Sequence, residues 1–185
     1  MTAIEFVKCI NETQISQDYL KKNYSEGFVR DVIIESNIPT LSKPFVEHGN
    51  EILNLVLNYD LSKFRVVNLN FDNDLFKDHY GIFFGWDGNG DRLGYNVDTG
   101  EVFTYYISGD YIIHYCAPND GIFLDLLFEL HKFHNNRIYD IDNPESESIK
   151  KTFMIYINAY FGNEKKYVRF YEDVIGYEGD DEILE

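Results

Sequence analysis

Asp87-Gly88-Asn89-Gly90-Asp91-Arg92-Leu93-Gly94-Tyr95-Asn96-Val97-Asp98 is the stretch whose reading decides the fold. Its first five residues are turn chemistry, because glycine and asparagine tolerate the positive φ of a tight hairpin. Leu93, Tyr95 and Val97 then alternate with Arg92, Gly94, Asn96 and Asp98. A period of two is that of a strand with one buried face, so the three apolar residues are predicted to share a face. Downstream, Asp98-Thr99-Gly100 turns the chain, Val102 to Ile107 forms the next strand, Ser108-Gly109-Asp110 turns again, and Tyr111 to Cys116 returns. Upstream, Phe64-Arg65-Val66-Val67-Asn68-Leu69 and Tyr80-Gly81-Ile82-Phe83-Phe84 are β-branched and aromatic runs bounded by Asn and Asp. Short runs joined by tight turns specify an antiparallel meander.

On either side of the meander the apolar period lengthens. Ser16 caps a predicted helix carrying Asp18 in its first turn and Tyr19, Leu20 and Tyr24 on one side. Gly27 interrupts the pattern, and Phe28, Val29, Val32 and Ile33 resume it until Asn37-Ile38-Pro39. Ile52, Leu53, Val56 and Leu57 cluster without deciding between a short helix and a strand. Phe123, Leu126, Leu127 and Leu130 recur at helical spacing, with Asp125, Glu129 and Lys132 opposite. Asn143-Pro144-Glu145 is a helix start, Ile149, Phe153, Tyr156 and Tyr160 are its expected buried side, and Gly162 its stop. Tyr167-Val168-Arg169-Phe170-Tyr171 reads as one more strand before an acidic tail, Glu178 to Glu185. The expected fold is α+β: a central antiparallel β-meander flanked by N- and C-terminal helices, one domain over 1–177 with the tail at 178–185.

The chain has 185 residues, a length that suits one compact domain. Hydrophobic residues at 44% and aromatics at 17% supply a core, which excludes a wholly disordered acidic chain. Thirty-two acidic against sixteen basic side chains give a formal charge of -16. Phosphate binding normally requires a basic surface, so nucleic acid is not expected as a direct ligand, nor is an anionic membrane. A basic protein partner fits the charge. Met1-Thr2-Ala3-Ile4-Glu5 has no basic region leading into an apolar run, and no stretch reaches the ~20 apolar residues of a spanning helix. Cys9 and Cys116 form no paired motif. A cytoplasmic protein with reduced cysteines is the expectation.

Candidate chemistry is sparse. Asp87, Asn89 and Asp91 alternate as calcium-loop oxygens do, but the flanks read as strands, Arg92 stands where that loop needs glycine, and Asp98 replaces the bidentate Glu. A polar hairpin turn explains them. His131 and His134 lie three apart near a helix end, with no convincing third ligand on the same face, and a helix C-terminus favours His without any metal. His114 reads as a hydrogen-bonded strand residue, and its i+2 neighbour Cys116 is not placed as nucleophile to base. Nucleophile elbows, P-loops and dinucleotide fingerprints do not occur. Neither catalysis, nor a cofactor, nor a metal is expected. The tyrosines say more: Tyr105, Tyr106, Tyr111, Tyr115, Tyr156 and Tyr160 exceed what a small core must bury. Tyrosine has an apolar body and a polar tip and is enriched at interfaces. On composition alone, a docking surface and a tyrosine-rich core stand level.

The order of elements from Tyr80 to Phe133 resembles the SUKH superfamily, the Smi/Knr-like domains. The residues that carry the resemblance are Tyr80-Gly81-Ile82-Phe83-Phe84-Gly85, the Asp87–Asp91 turn, Leu93-Gly94-Tyr95-Asn96-Val97-Asp98 and Thr99-Gly100-Glu101-Val102-Phe103. Ala117-Pro118-Asn119 then leads into Phe123-Leu124-Asp125-Leu126-Leu127, and Asn37-Ile38-Pro39 looks like the segment that enters the domain. His48-Gly49-Asn50 stands where the family often has Asn-Gly-Gly, a departure that fits the divergent immunity-type branches. The resemblance implies a non-enzymatic immunity protein that neutralises a cognate, basic, nuclease-type toxin domain. Two other readings stand beside it: a regulatory or scaffold module of the same fold, and a metal-dependent enzyme using the Asp87–Asp91 turn or the His131/His134 pair. Loop tips on a rigid sheet are where recognition residues sit, so Asp87, Asn89, Asp91, Asp110 and Tyr111 are the expected partner-binding residues.

Overall fold

A computed structural model describes residues 1–41, 43–140, 142–143, 146–162 and 164–178 of the chain. Four helices come first: α1 (Ala3–Glu12), α2 (Gln17–Asn23), α3 (Glu26–Glu35) and α4 (Glu51–Asn58). Six strands follow: β1 (Arg65–Val66), β2 (Leu69–Lys77), β3 (Ile82–Trp86), β4 (Arg92–Tyr95), β5 (Val102–Tyr106) and β6 (Tyr111–Ala117). They form one sheet in sequence order, every neighbour antiparallel. Helices α5 (Asp120–Tyr139), α6 (Glu147–Phe161) and α7 (Val168–Ile175) complete the described chain. This is the α+β meander flanked by helices that the alternation around Leu93 predicts.

Strand β4 is central in its neighbourhood, with Leu93 opposite Thr104, Gly94 between Phe83 and Phe103, and Tyr95 between Ile82 and Val102. Successive side chains therefore leave on opposite faces. Leu93, Tyr95, Phe71, Phe84, Val102 and Cys116 join the main core with Phe123, Leu127 and Leu130 of α5 and Tyr171 of α7. The other face carries a second cluster made of hairpin residues alone: Phe83, Phe103 and Tyr105, with Tyr80, Ile112 and Tyr115 against it. Gly94 makes room for it, since a Cβ there would lie 2.9 Å from Phe83 and 3.0 Å from Phe103. The loop between β2 and β3 closes over this face, where the Tyr80 hydroxyl donates to the Asp110 carbonyl at 2.9 Å.

The helical ends hold more than their sequence shows. Helix α1 opens with a capping box between Thr2 and Glu5 and buries Ala3, Phe6, Val7 and Ile10 against the main core. The break between α2 and α3 falls at Tyr24-Ser25, where the Ser25 hydroxyl accepts from the Phe28 N–H; Gly27 lies inside α3. The ambiguous Ile52–Leu57 cluster is helix α4. Within Phe64–Leu69 the chain turns at Val67-Asn68, so the run contributes to two strands.

Three expectations are corrected. Val97 leaves β4 and is exposed, because the Asn96 side-chain oxygen accepts from the N–H groups of Asp98 and Thr99 and starts the turn early. Tyr156 and Tyr160 are exposed on α6, whose buried side is Lys150, Phe153, Met154 and Ile157. Tyr167–Tyr171 is not a strand: α7 buries Val168, Tyr171, Val174 and Ile175 at helical spacing, a period that only the residues beyond Tyr171 complete. Its Tyr171 hydroxyl donates to the Cys116 carbonyl at 2.9 Å, and Gly176 ends it in a left-handed conformation with Lys150 donating to the Gly176 carbonyl. Helix α6 has Ser146 as its N-cap; Pro144 and Glu145 of the expected start, and 179–185 of the expected tail, lie outside the described residues.

Within β3 the backbones come very close at Gly85, where a Cβ would stand 2.2 Å from the Asn70 carbonyl oxygen. Gly85→Ala must push β2 from β3 and is expected to destabilise the protein by about 2–3 kcal/mol in urea unfolding. A variant as stable as the parent would show that the strands do not approach this closely.

Candidate functional site

A meander sends alternate turns to opposite ends, so the β1–β2, β3–β4 and β5–β6 turns share one end of the sheet. The expected partner-binding residues all lie on two of these turns, and the fold does bring them to one end. It uses them differently, however. Asp87 is 9% exposed, and its Oδ1 accepts from the N–H groups of Asn89 and Asp91 at 2.9 and 3.0 Å. That oxygen holds the turn together, with Gly90 at φ 86° supplying the reversal. Asn89 is exposed at the tip. Asp91 is half-buried; burial pushes its carboxyl up, the neighbouring Asp87 adds to the rise, and His114 pulls it down.

Asp110 has φ 57°, a left-handed position that Asp tolerates better than most residues. Its Oδ1 accepts from the Tyr105 hydroxyl at 2.5 Å. This hydrogen bond, with burial, pushes the Tyr105 phenol up to about 12. The Asp110 carboxylate therefore locks the hairpin to the aromatic cluster. Tyr111 is 53% exposed and meets Tyr106 edge to face at 5.6 Å. Ile107 beside them is also exposed.

Between the two turns lies a shallow cleft of about 430 Å³ lined by Asp72, Trp86, Gly90, Arg92 and Ile107. The Arg92 guanidinium donates to Asp72 Oδ2 at 3.0 Å and lies over the Trp86 ring at 5.9 Å. Trp86, Ile107 and the Asp72–Arg92 pair escaped the sequence reading. The signal for Trp86 was its position, the chain's only tryptophan directly before a glycine-rich turn. The exposed residues of these two turns thus include Asn89, Tyr106, Ile107, Asp110 and Tyr111.

The histidine pair lies elsewhere, on α5. His131 is 1% exposed, its Nε2 is 3.1 Å from the Asn135 amide nitrogen, and the Nδ1 atoms of both His131 and His134 are buried without a partner. Burial lowers the His131 pKa to about 4, with His134 adding to the shift. His114 Nε2 meets Asp173 Oδ2 of α7 at 2.7 Å. Among the described residues no three His, Cys, Asp or Glu side chains converge closely enough to hold a metal ion, and no helix is long and apolar enough to cross a membrane. Comparison with known proteins finds no matching family model, no matching curated protein and no matching solved structure.

The depressed His131 pKa makes stability depend on pH. The unfolded chain takes up a proton near 6.5, whereas the folded chain resists until about 4. Stability contributed by the neutral imidazole is present above the unfolded value and is lost as pH falls toward the folded one. Between pH 6.5 and about 5 the loss is expected to be ~2 kcal/mol. His131→Gln should flatten that part of the profile in urea unfolding; an unchanged slope would place the sensitivity in another group.

Proposed function

We propose that this chain is a non-enzymatic binding protein of the SUKH-like immunity type, which neutralises a basic, nuclease-type toxin domain in the cytoplasm. The observation that carries the reading is the pairing of a formal charge of -16 with exposed Tyr106, Ile107 and Tyr111 on the one β5–β6 turn of a braced sheet. A nuclease grips phosphates with Lys and Arg, so an acidic protein is attracted to the same surface its substrate uses. Long-range attraction speeds the encounter, and desolvated aromatic contacts slow escape. The turns suit the role because the Asp87 and Asp110 carboxylates hold their shape, leaving the tips open to vary.

The test is co-expression and rapid mixing with the toxin domain encoded beside this protein. Its nuclease activity should fall to background at a one-to-one ratio, without any turnover by this protein. Raising salt from about 0.05 M to about 0.5 M should slow association roughly tenfold or more. Tyr111→Ala should leave association unchanged and speed dissociation about tenfold, or ~1.4 kcal/mol. A toxin domain that stays fully active with excess protein present refutes the reading.

A further inference from the structure

Asn89 and Gly90 form the tip of the β3–β4 turn, and both are exposed. Of the thirteen glycines in the chain, Gly90 alone follows an asparagine. That pair has a chemistry of its own. A main-chain nitrogen can attack the side-chain carbonyl carbon of the asparagine before it and close a five-membered ring. A side chain on the following residue hinders the closure, and glycine has none. The space around Gly90 is open as well, since a Cβ there would find no atom within 4 Å. Among the described residues no hydrogen bond restrains the Asn89 carboxamide.

The main chain, by contrast, is held. The attacking atom is the Gly90 nitrogen, whose N–H donates to the Asp87 carbonyl at 3.1 Å. It must lose its proton to act, so that bond has to open first. On either side of it, Asp87 Oδ1 accepts from the N–H groups of Asn89 at 2.9 Å and Asp91 at 3.0 Å. Asp87 thus grips the chain before and after the reacting link. Reaction is confined to the moments when the turn opens, and exposed loop tips are among the first parts of a fold to do so.

We propose that Asn89-Gly90 is a site of spontaneous covalent modification, deamidation through a cyclic imide, with Asp87 as the clamp that sets its rate. In the first step the Gly90 nitrogen bonds to Asn89 Cγ and the Cγ–Nδ2 bond breaks. Nδ2 leaves as ammonia, carrying the proton that the Gly90 nitrogen gave up. Water then opens the ring. Cleavage at Cγ leaves an aspartate in an unchanged main chain. Cleavage at the main-chain carbonyl leaves an isoaspartate, whose main chain runs through Cβ and Cγ. One water is consumed and one ammonia released, with no oxidant or cofactor. Either product sets a further carboxylate between Asp87 and Asp91. The isoaspartate does more, because its link is one atom longer. The Gly90 N–H to Asp87 carbonyl, Asp91 N–H to Asp87 Oδ1 and Asp87 N–H to Asp91 carbonyl bonds all span that link. Modification therefore changes both the charge and the shape of the turn, and the inference stands without the function proposed above.

Incubation of the whole protein in mildly alkaline buffer, followed by mass mapping of the tryptic peptide 78–92, reads the reaction. The expected result is the mass gain of an amide turned into an acid, in two separable products, one of them labelled by isoaspartyl methyltransferase. Asn89→Gln should abolish both, since its ring would need six members. The folded protein should react roughly tenfold more slowly than the same chain in urea, because the turn must open first. Asp87→Ala should remove most of that difference and match the parent in urea, with Trp86 fluorescence reporting that the variant is folded. Asp87→Ser, whose hydroxyl accepts the same bonds more weakly, should fall between the two. Three results would each overturn the proposal: a folded protein that keeps its amide after the chain in urea has converted, conversion confined to another asparagine, or folded variants at position 87 that react at the parent's rate.

Discussion

A sheet whose two faces must both be dry, with the core helices packed on one of them, is the constraint on which this molecule depends. Helices α1, α4, α5 and α7 supply apolar side chains to the Leu93 face. The Gly94 face has to be closed by the sheet itself. It is closed because a missing side chain at Gly94 lets Phe83 and Phe103 meet edge to face at 5.9 Å, and because Tyr80 and Tyr105 pack at 4.7 Å under the β2–β3 loop. The hydroxyls of both tyrosines then need acceptors, and both find them on Asp110. Aromatic burial and the geometry of the β5–β6 turn are in this way one arrangement.

The large negative charge is spent in more than one way. Some carboxylates act as local braces: Glu5 accepts from the Thr2 backbone, Asp60 from Ser62, and Asp87 from its own turn. For Glu5 and Asp60 these bonds hold the group below the ordinary carboxylate range. Others are paired, as Glu101 is with Lys166 and Tyr167, which ties the β4–β5 turn to the start of α7. Asp91 fits neither use: it is half-buried, and burial with Asp87 nearby pushes its carboxyl up. Net charge alone thus does not tell which acids are engaged; the geometry does.

Much of the architecture was legible in local pattern. The strands and turns from Tyr80 to Cys116, the α5 face and the Gly162 stop all rest on signals a few residues long. The candidate site was legible only as a place. Asn89, Asp110 and Tyr111 are exposed where the turns were expected to present them, but the Asp87 carboxylate braces its own turn and the Asp110 carboxylate accepts from Tyr105. Helix α1 carries the same kind of local signal, a Thr2–Glu5 capping box and buried residues at 3, 6, 7 and 10, although the sequence reading assigned no element there.

What the sequence by itself determined is period and punctuation: alternation around Leu93, helical spacing around Leu127, and glycine at positions where φ must be positive. Those properties belong to the chain's own backbone and short-range sterics, so no distant residue is needed to read them. Tertiary structure decided everything that depends on what lies opposite. It made Tyr167–Tyr171 part of a helix, because Val174 and Ile175 bury beside Tyr171 and its hydroxyl reaches Cys116. It exposed Tyr156, closed the aromatic face over Gly94, and buried the Thr104 hydroxyl without a partner. Burial, and the hydrogen bond a buried group finds or fails to find, are properties of neighbours brought together from across the chain.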